Sequence, residues 1–227
     1  MSRISIVIPI LNEATTMDRC LRDLQPLREQ NCELIVADGG SEDQSVALAE
    51  PLADRAFVAP KGRALQMNAG AQRASGAILW FLHADSRPPP EAARVIRAAL
   101  ANPKAGWGRF DVRLSGRRPA LRMVETMMNL RSRLSGIATG DQGIFVRREL
   151  FERIGGYPPI ALMEDIALSR LLKRHGRPVC LRHRLQSSSR RWERDGVWRT
   201  IFLMWRLRLG YFFGADPDRL ARMYYRP

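Results

Sequence analysis

The stretch ILWFLHADSRPPP, residues 78–90, joins an apolar run to a histidine, an acid and three consecutive prolines. Runs without polar residues are typical of strands in parallel sheets, because helices cover both faces of such a sheet. The run therefore predicts a buried strand. Ligands of open parallel sheets bind beyond the carboxyl ends of the strands, so His83 and Asp85 are candidate site residues.

Similar apolar runs alternate with helical segments through the first hundred residues. Strands are predicted at residues 3–10, 32–38, 55–60 and 77–84, and helices at residues 15–30, shortly after Ser41, at 64–74 and at about 91–101. This alternation predicts an α/β fold with a central, mostly parallel sheet flanked by helices. Later the pattern loosens into the segments 107–114 and 143–148, with helical spacing at about 121–134 and at 161–176.

Size and composition predict one soluble globular domain. The chain has 227 residues, of which 45% are hydrophobic and 26% charged, as is typical of globular proteins. No linker separates residues 1–100 from 101–227, so these segments are expected to be two lobes of one domain. The three cysteines lack CxxC spacing, so disulfides are not expected and a reduced cytoplasm fits. The N-terminal apolar run is too short for a leader, and three arginines within residues 197–214 argue against a membrane span there.

The net charge of +14 is concentrated near the C-terminus, where residues 170–227 contain 15 Lys and Arg but 4 Asp and Glu. Such a segment attracts nucleic acid, anionic lipid or a phosphorylated ligand, and composition does not separate these partners. Segment 197–214 interleaves aromatic and aliphatic residues with arginines. It is expected to pack in the core, with peripheral contact at the inner membrane face or homodimerisation as alternatives.

Polar residues also follow the first two predicted strands. These strands end in PILNE and ADGGSED, which bring four residues to the edge occupied by Asp85: Pro9, Asn12, Glu13 and Asp38. In the second motif Asp38 offers an acceptor, and Gly39 lets the backbone approach a ligand, which suits a nucleotide. An ordinary turn with a helix cap would use the same residue types.

Asp85 is the candidate metal ligand. A carboxylate fixed beyond a strand by a proline-rich turn can bind a divalent cation that bridges a diphosphate, and oxygen ligands favour Mn²⁺ or Mg²⁺. Alternatively, Asp85 or Ser86 caps the next helix. His83 lies two residues earlier on the same side of an extended chain and could contact ribose or metal, although packed core histidines are more frequent.

Glu164 and Asp165 open a predicted helix, where the helix dipole favours acids. The Gly- and Pro-rich segment before them predicts that they lie at the mouth of a cleft, where a carboxylate can act as a general base. Two basic groups are candidate phosphate ligands: Lys61 and Arg63 at one helix start, and Arg190 and Arg191 beside Trp192. Solvated surface charge is the alternative for both groups.

Six motifs follow one another in the order found in family 2 glycosyltransferases: VIPILNE, DGGSED, FLHAD, GDQGIFVRRELFERIGGYP, MEDIALSRLL and SSRRW. The ordered set resembles that family from residue 5 to about residue 192. The segments KGRALQMNAGA, FLHADS and GDQGIF further resemble a bacterial subgroup associated with arsenosugar biosynthesis and radical-SAM proteins. The sequence lacks P-loop, dinucleotide-binding and nucleophile-elbow motifs, which excludes those classes.

The family resemblance implies a GT-A fold, a nucleotide-diphosphate sugar donor, a hydroxyl acceptor and an inverting single displacement. By position, the nucleotide or donor would be bound by Pro9, Asn12, Glu13, Asp38, Gly39, Lys61, Arg63, His83, Arg190, Arg191 and Trp192. Asp85 would bind Mn²⁺ or Mg²⁺, Asp165 would be the catalytic base with Glu164 beside it, and Gly140, Asp141 and Gln142 would lie on the acceptor side. We therefore expect Asp38, Asp85 and Asp165 to share one cleft.

Two positions depart from the family pattern. His83 replaces the first acid of the DXD-type motif, and Ser188 replaces the glutamine of the QxxRW motif. The second departure, without downstream membrane helices, favours a single-transfer enzyme over a processive polysaccharide synthase. One alternative is a nucleotidyltransferase, although LNEATT after the first strand is not a Gly-rich basic loop. Another is a nucleic-acid-binding module using the basic C-terminus, but no specific nucleic acid is expected as a partner.

Overall fold

A computed structural model of the chain describes residues 1–225 and shows seven strands and ten α-helices in them. The strands are β1 (Ile4–Ile10), β2 (Cys32–Asp38), β3 (Arg55–Val58), β4 (Ile78–Phe81), β5 (Trp107–Leu114), β6 (Phe145–Arg147) and β7 (Val179–Ser187). The helices are α1 (Ala14–Arg28), α2 (Ser45–Ala49), α3 (Arg63–Arg73), α4 (Ala92–Ala99), α5 (Pro119–Ser135), α6 (Arg148–Arg153), α7 (Glu164–Lys173), α8 (Arg190–Asp195), α9 (Val197–Phe212) and α10 (Pro217–Tyr225). A 3₁₀ turn spans Gly140–Gln142.

The seven strands form one sheet in the order β3-β2-β1-β4-β6-β5-β7. β1 pairs in parallel with β2 and β4, β2 with β3, and β5 with β7. Only β6, among the strands of residues 1–225, runs antiparallel to its neighbours, β4 and β5. Segments from both halves of the chain therefore share one sheet, and the prediction of a mostly parallel α/β fold is confirmed.

Helices cover both faces of this sheet, which explains the continuous apolar strands. All seven residues of β1 are buried. On one face Ile6 packs in a cluster with Leu21 of α1, and on the other Val7 packs with Leu168 of α7. Gly70 lets α3 approach this second face, because a Cβ at that position would lie 2.4 Å from a Val7 methyl group. Burial on both faces requires apolar residues at successive positions.

The C-terminal half contains the largest differences from the sequence predictions. The β7 strand was not predicted, because this edge strand alternates exposed arginines such as Arg182 and Arg184 with less exposed residues. Segment 143–148 yields only the three-residue β6 before α6 begins. The helix expected near residue 91 begins at Ala92, with Glu91 at the N-cap position. Asp85 and Ser86 are therefore not its caps, and that alternative is wrong.

Helix α9 packs against the rest of the protein along one side, so the expectation that 197–214 packs in the core holds for that side of the helix. Leu207 is buried in a cluster with Leu162, and Val197 is also buried. In contrast, Phe202 is 66% exposed and Trp205 is 56% exposed. A membrane-spanning helix is not found among residues 1–225, since none is both long and apolar enough.

Candidate active site

Two adjoining cavities open near the carboxyl ends of β1 and β4. The central cavity, of about 560 Å³, has Asp85 and Asp165 in its lining. The edge cavity, of about 620 Å³, lies beside β1 and α3 and includes Pro9. Arg63, His83 and Asp85 line both cavities, which are therefore joined at these side chains. The site lies where parallel sheets usually bind ligands.

Asp85 has the properties expected of a ligand for a cation. Its side chain is 29% exposed, and its Oδ1 atom is buried without a hydrogen-bond partner among residues 1–225. The other oxygen, Oδ2, lies 4.0 Å from Nη2 of Arg190. Burial raises the pKa of the Asp85 carboxyl, His83 opposes the shift and Asp141 adds to it. A buried oxygen without a partner is costly unless a ligand completes its coordination.

The donor set fits a cation that is held mainly by its substrate. Among the described residues, no group of three or more His, Cys, Asp or Glu side chains could hold a metal ion. Mg²⁺-type sites commonly use one or two carboxylates and complete their coordination with substrate phosphates and water. Asp85 with its free Oδ1 atom suits this kind of site, whereas a closed site made only of protein ligands does not fit.

His83 lines both cavities and is not a packed core histidine. Its side chain is 23% exposed, and its Nδ1 atom lies 3.8 Å from Oδ1 of Asp141. The imidazole also lies against Gly140, where an added Cβ would come within 2.3 Å of Nε2. His83 therefore packs against the 3₁₀ turn, two residues before Asp85 in the chain.

The two acids at the start of α7 have different environments. Asp165 accepts hydrogen bonds from the backbone N–H of Gly140 (2.9 Å) and from that of Ile166 (2.7 Å), and it lines the central cavity. Glu164 is buried, with its Oε1 atom 3.6 Å from Nη1 of Arg63. Burial, reinforced by Asp165, raises the pKa of Glu164 to about 7. Burial opposes the charge on Arg63, but Glu164 raises the pKa of its guanidinium above the usual value.

The three residues that open α8 all line the central cavity. Arg190 reaches towards Asp85 and also lies 3.8 Å from a carboxylate oxygen of Glu13. The Arg191 guanidinium stacks 3.6 Å from the ring centre of Tyr224 and donates a hydrogen bond to its carbonyl oxygen (2.7 Å). Trp192 packs against the apolar cluster that includes residues of α5. These contacts orient two guanidinium groups at the cavity.

The 3₁₀ turn contributes two of its three predicted residues to the central cavity. Gly140 and Asp141 line it, and Asp141 accepts a hydrogen bond from Ser187 at the end of β7 (2.9 Å). Gln142 is fully buried, does not line either cavity, and accepts a hydrogen bond from the Thr139 backbone N–H (3.2 Å). Gln142 therefore holds the turn instead of facing a ligand.

Asp38 lies outside both cavities, so the expected convergence of three acids holds only for Asp85 and Asp165. The Asp38 carboxylate is buried and accepts hydrogen bonds from the backbone N–H groups of Gly40 and Ser41 (2.9 and 2.8 Å) and from the Ser41 hydroxyl. The turn interpretation of this motif accounts for all of these contacts, because the carboxylate satisfies its own loop.

The neighbouring predicted residues support the same loop. Asn12 is exposed, has a left-handed backbone (φ 54°), and accepts a hydrogen bond from the backbone N–H of Glu42 (2.9 Å). Gly39 lies against the buried amide of Gln66, which donates to backbone carbonyls at the ends of β1 and β2. Gln66 lines the edge cavity together with Pro9, Glu13, Lys61 and Arg63.

The sequence motifs do not include the residues that close the central cavity from α9 and α10. Thr200, Met204 and Arg208 of α9 line it, as does Tyr224 of α10. Burial lowers the pKa of Arg208, and Asp165 opposes that shift. The arginines within an otherwise apolar helix indicated such a role, because a buried guanidinium usually has a polar or charged partner.

The α/β fold with its mostly parallel sheet matches that of solved GT-A glycosyltransferases. Residues 5–155 match the family model described as "Glycosyl transferase family 2". The chain therefore belongs to glycosyl transferase family 2, and the predicted family is confirmed.

Curated relatives carry transferase names. The chain is 30% identical over 159 residues to the undecaprenyl-phosphate 4-deoxy-4-formamido-L-arabinose transferase of Pseudomonas syringae, covering 63% of this chain and 46% of that protein. It is 31% identical over 94 residues to glycosyltransferase AglE of Haloferax volcanii, covering 37% and 31%. The chain thus spans less than half of the length of these relatives.

Solved structures of similar fold share lower identity. The mannosyltransferase PcManGT from Pyrobaculum calidifontis, in complex with GDP-Man and Mn²⁺, has a TM-score of 0.66 and 18% identity, covering 99% of this chain and 70% of that one. Glucosyl-3-phosphoglycerate synthase from Mycobacterium tuberculosis, with Mn²⁺, UDP-glucose and phosphoglyceric acid, has a TM-score of 0.63 and 21% identity, covering 82% and 71%. These likenesses show the fold.

Proposed function

We propose that this protein transfers a sugar from a nucleotide-diphosphate donor to an acceptor hydroxyl, with inversion and with Asp165 as the general base. The observation that carries the proposal is the central cavity, which holds Asp85 and Asp165 together in a family 2 glycosyltransferase fold. The edge cavity beside β1 would hold the nucleotide, with Lys61 and Arg63 in its lining. Residues 1–100 would then form the nucleotide-binding lobe and residues 101–227 the acceptor-binding lobe.

Asp165 is suited to remove the acceptor proton. Its carboxylate is oriented by the Gly140 and Ile166 backbone N–H groups and lines the cavity where the acceptor would bind. As the acceptor oxygen attacks the anomeric carbon and the diphosphate leaves, the hydroxyl proton would pass to a carboxylate oxygen of Asp165. Glu164, paired with Arg63, would fix the start of α7 and so position its neighbour.

The departing diphosphate gains negative charge that the site must stabilise. Arg190 and Arg191 point two guanidinium groups at the cavity, and guanidinium groups bind diphosphate oxygens well. Asp85 would hold Mn²⁺ or Mg²⁺, which supplies additional positive charge to the diphosphate when bound. The Mn²⁺ in the mannosyltransferase and synthase structures supports this assignment.

The acceptor is a small molecule or a lipid-linked group. The name of the Pseudomonas relative, an undecaprenyl-phosphate transferase, supports the second class. The arsenosugar assignment rests on the resemblance of three segments to one subgroup and stays a prediction. The four carboxylates in the central cavity, from Asp85, Asp141, Glu164 and Asp165, favour a metal-bound nucleotide over a nucleic-acid strand.

Thermal melting with a panel of nucleoside diphosphates, with and without Mn²⁺, tests donor binding. Ligands that bind only the folded state raise the melting temperature, so we expect a rise with one nucleotide and a larger rise when Mn²⁺ is added. Absence of any rise across the panel at millimolar ligand would refute a nucleotide-dependent function.

The Asp165→Asn variant tests the base. General-base assistance is worth about 10²- to 10⁴-fold in rate, so transfer should slow by that factor while nucleotide-induced stabilisation stays at the wild-type level. Asparagine keeps an oxygen that can accept the Gly140 hydrogen bond, so the turn should survive. The exposed α1 carboxylate of Asp18 provides the matched Asp→Asn control. Equal turnover by Asp165→Asn and wild type would remove Asp165 from the mechanism.

A further inference from the structure

Helix α9 displays an unpartnered apolar stripe on the side that faces away from the core. Its members are Trp198, Phe202, Trp205, Leu209 and Phe212, which are 62%, 66%, 56%, 60% and 68% exposed. They are spaced four, three, four and three residues apart, so they form one continuous row along the helix. Three of these five side chains are exposed at more than six-tenths of their surface, which is costly in water for phenylalanine and tryptophan.

Helix α5 carries a second stripe with the same spacing. Met123, Met127, Leu130 and Leu134 are 40%, 47%, 55% and 71% exposed. These residues are again separated by four, three and four positions, so they lie on one face of the helix. Two successive exposed rows of this kind are not expected on a surface that meets only water.

The two stripes adjoin. Val124 and Met128 of α5 share an apolar cluster with Val197 and Ile201 of α9, so these residues form the seam between the helices. Farther along, Ile137, two residues beyond the end of α5, packs in a cluster with Leu203 and Leu207 of α9, so the helices run in the same direction. At 100° per residue, each stripe lies next to its seam residues, and both stripes fall on the same side of the seam.

Basic residues predominate on the two helices that carry this surface, here named the α5–α9 face. The helices α5 and α9 contain six arginines and one acid, Glu125. Glu125 is buried, and it accepts a hydrogen bond from the Leu114 backbone N–H (2.8 Å). Arg199 and Arg206 are exposed and lie on α9 beside its stripe. An apolar surface bordered by cations and rich in Trp and Phe suits an anionic lipid–water interface.

We propose that the α5–α9 face docks this protein on an anionic lipid bilayer. The apolar side chains would enter the boundary between headgroups and acyl chains, and the arginines would contact the lipid phosphates. A second copy of the chain is a poorer occupant, because α5 and α9 carry six arginines and one buried acid, so two identical faces would bring arginines against arginines. This binding is independent of the proposed sugar transfer.

Docking on this face would bring the central cavity close to the lipid surface. The opposite side of α9 lines that cavity through Thr200, Met204 and Arg208. A groove of about 850 Å³ beside the cavity is lined by Arg199 and Arg206 and also by Phe202 of the stripe. A ligand carried by the bilayer would therefore find a basic path from the lipid surface towards the candidate active site.

Vesicle co-sedimentation tests the proposal directly. The wild-type protein should pellet with vesicles of phosphatidylcholine and phosphatidylglycerol, pellet less with pure phosphatidylcholine, and be released by high salt. The double variant Phe202→Gln/Trp205→Gln should lose most of the binding, whereas Val58→Gln, which removes an apolar side chain 66% exposed on β3, should keep it. Arg199→Gln and Arg206→Gln should each weaken binding about fivefold, the equivalent of about 1 kcal/mol per surface arginine.

Two further measurements separate docking from unfolding and from self-association. Circular dichroism should show wild-type helix content in every variant, and sedimentation velocity without vesicles should show a monomer. Wild-type protein that stays in the supernatant with anionic vesicles would overturn the proposal. So would a dimer that the Phe202→Gln/Trp205→Gln change dissociates, since the face would then bind a second copy. Nucleotide-induced stabilisation is measured separately, so its failure would affect only the proposed transferase function.

Discussion

The free energy of unfolding of the wild-type protein should fall as pH rises, because Glu164 titrates. The Glu164→Gln variant should lack this fall. The Glu164 side chain is 6% exposed, and burial beside Asp165 raises its pKa from 4.5 to about 7. Between these two values the folded protein holds a proton that the unfolded chain has released. The free energy of unfolding therefore falls with increasing pH across this window, and the effect is complete above pH 7.

The size of this effect follows from the two pKa values. One pKa unit corresponds to about 1.4 kcal/mol, so titration of Glu164 should lower the free energy of unfolding by about 2 to 3 kcal/mol between pH 5 and pH 8. The Glu164→Gln variant has no proton to lose in this range. The substitution also changes the packing and hydrogen bonding of this side chain beside Arg63, which shifts the stability by an amount that does not depend on titration. The informative quantity is therefore the slope with pH and not the absolute difference.

Urea unfolding at pH 5, 6, 7 and 8 measures that slope. The difference in unfolding free energy, variant minus wild type, should rise by about 2 to 3 kcal/mol from pH 5 to pH 8. Glu50→Gln, a change at an exposed glutamate of the α2 C-cap, should give a difference that is constant with pH. If the Glu164→Gln and wild-type curves run parallel, Glu164 is already ionised at pH 5 and the argument from burial fails.

Three further changes test the metal ligand, the turn and the packing of α3. Asp85→Asn should abolish the additional melting-temperature rise caused by Mn²⁺, and an unchanged Mn²⁺ effect would exclude Asp85 as a ligand. Gly140→Ala places a Cβ against the His83 imidazole, so transfer should slow at least about tenfold with a small change in melting temperature; wild-type rates would show that the turn can adjust. Gly70→Ala overlaps Val7 and should cost about 1–3 kcal/mol in urea unfolding; a neutral result would mean that α3 shifts away freely.

The first four strands could be predicted from sequence because their signal is local. β1, β2 and β4 are buried along their whole length, so mostly apolar residues follow one another in them. β3 lies at an edge of the sheet and is only partly buried, but residues 56–58 still form a short apolar run. β7, at the opposite edge, gave no such signal, because exposed arginines such as Arg182 and Arg184 interrupt its apolar residues. β6 lies antiparallel between β4 and β5, and this placement depends on the whole sheet. A strand of three residues is too short to show a hydrophobic pattern that would predict it.

The candidate site shows the same division between local and tertiary information. Asp85 and Asp165 were predicted to lie at a cleft because each is part of a recognisable motif at an element boundary, and both line the central cavity, while their roles stay predictions. Asp38 has an equally good motif, yet its carboxylate binds its own loop, and sequence cannot decide between a ligand and a turn when both need the same residue types. Arg208 and Tyr224 reach the cavity only because α9 and α10 fold back over it.

The cavity also concentrates charged groups whose burial is costly. Oδ1 of Asp85 is buried without a partner in the part of the chain that the structure describes, and burial pushes the pKa of Glu164 up and that of Arg208 down. A fold selected only for stability would replace such groups, since each buried charge without full compensation costs free energy. These acids and this arginine lie together in one cavity, where a bound cation would neutralise the carboxylates and a bound diphosphate would neutralise the guanidinium. The nucleotide and Mn²⁺ should therefore stabilise the protein jointly by more than the sum of their separate effects.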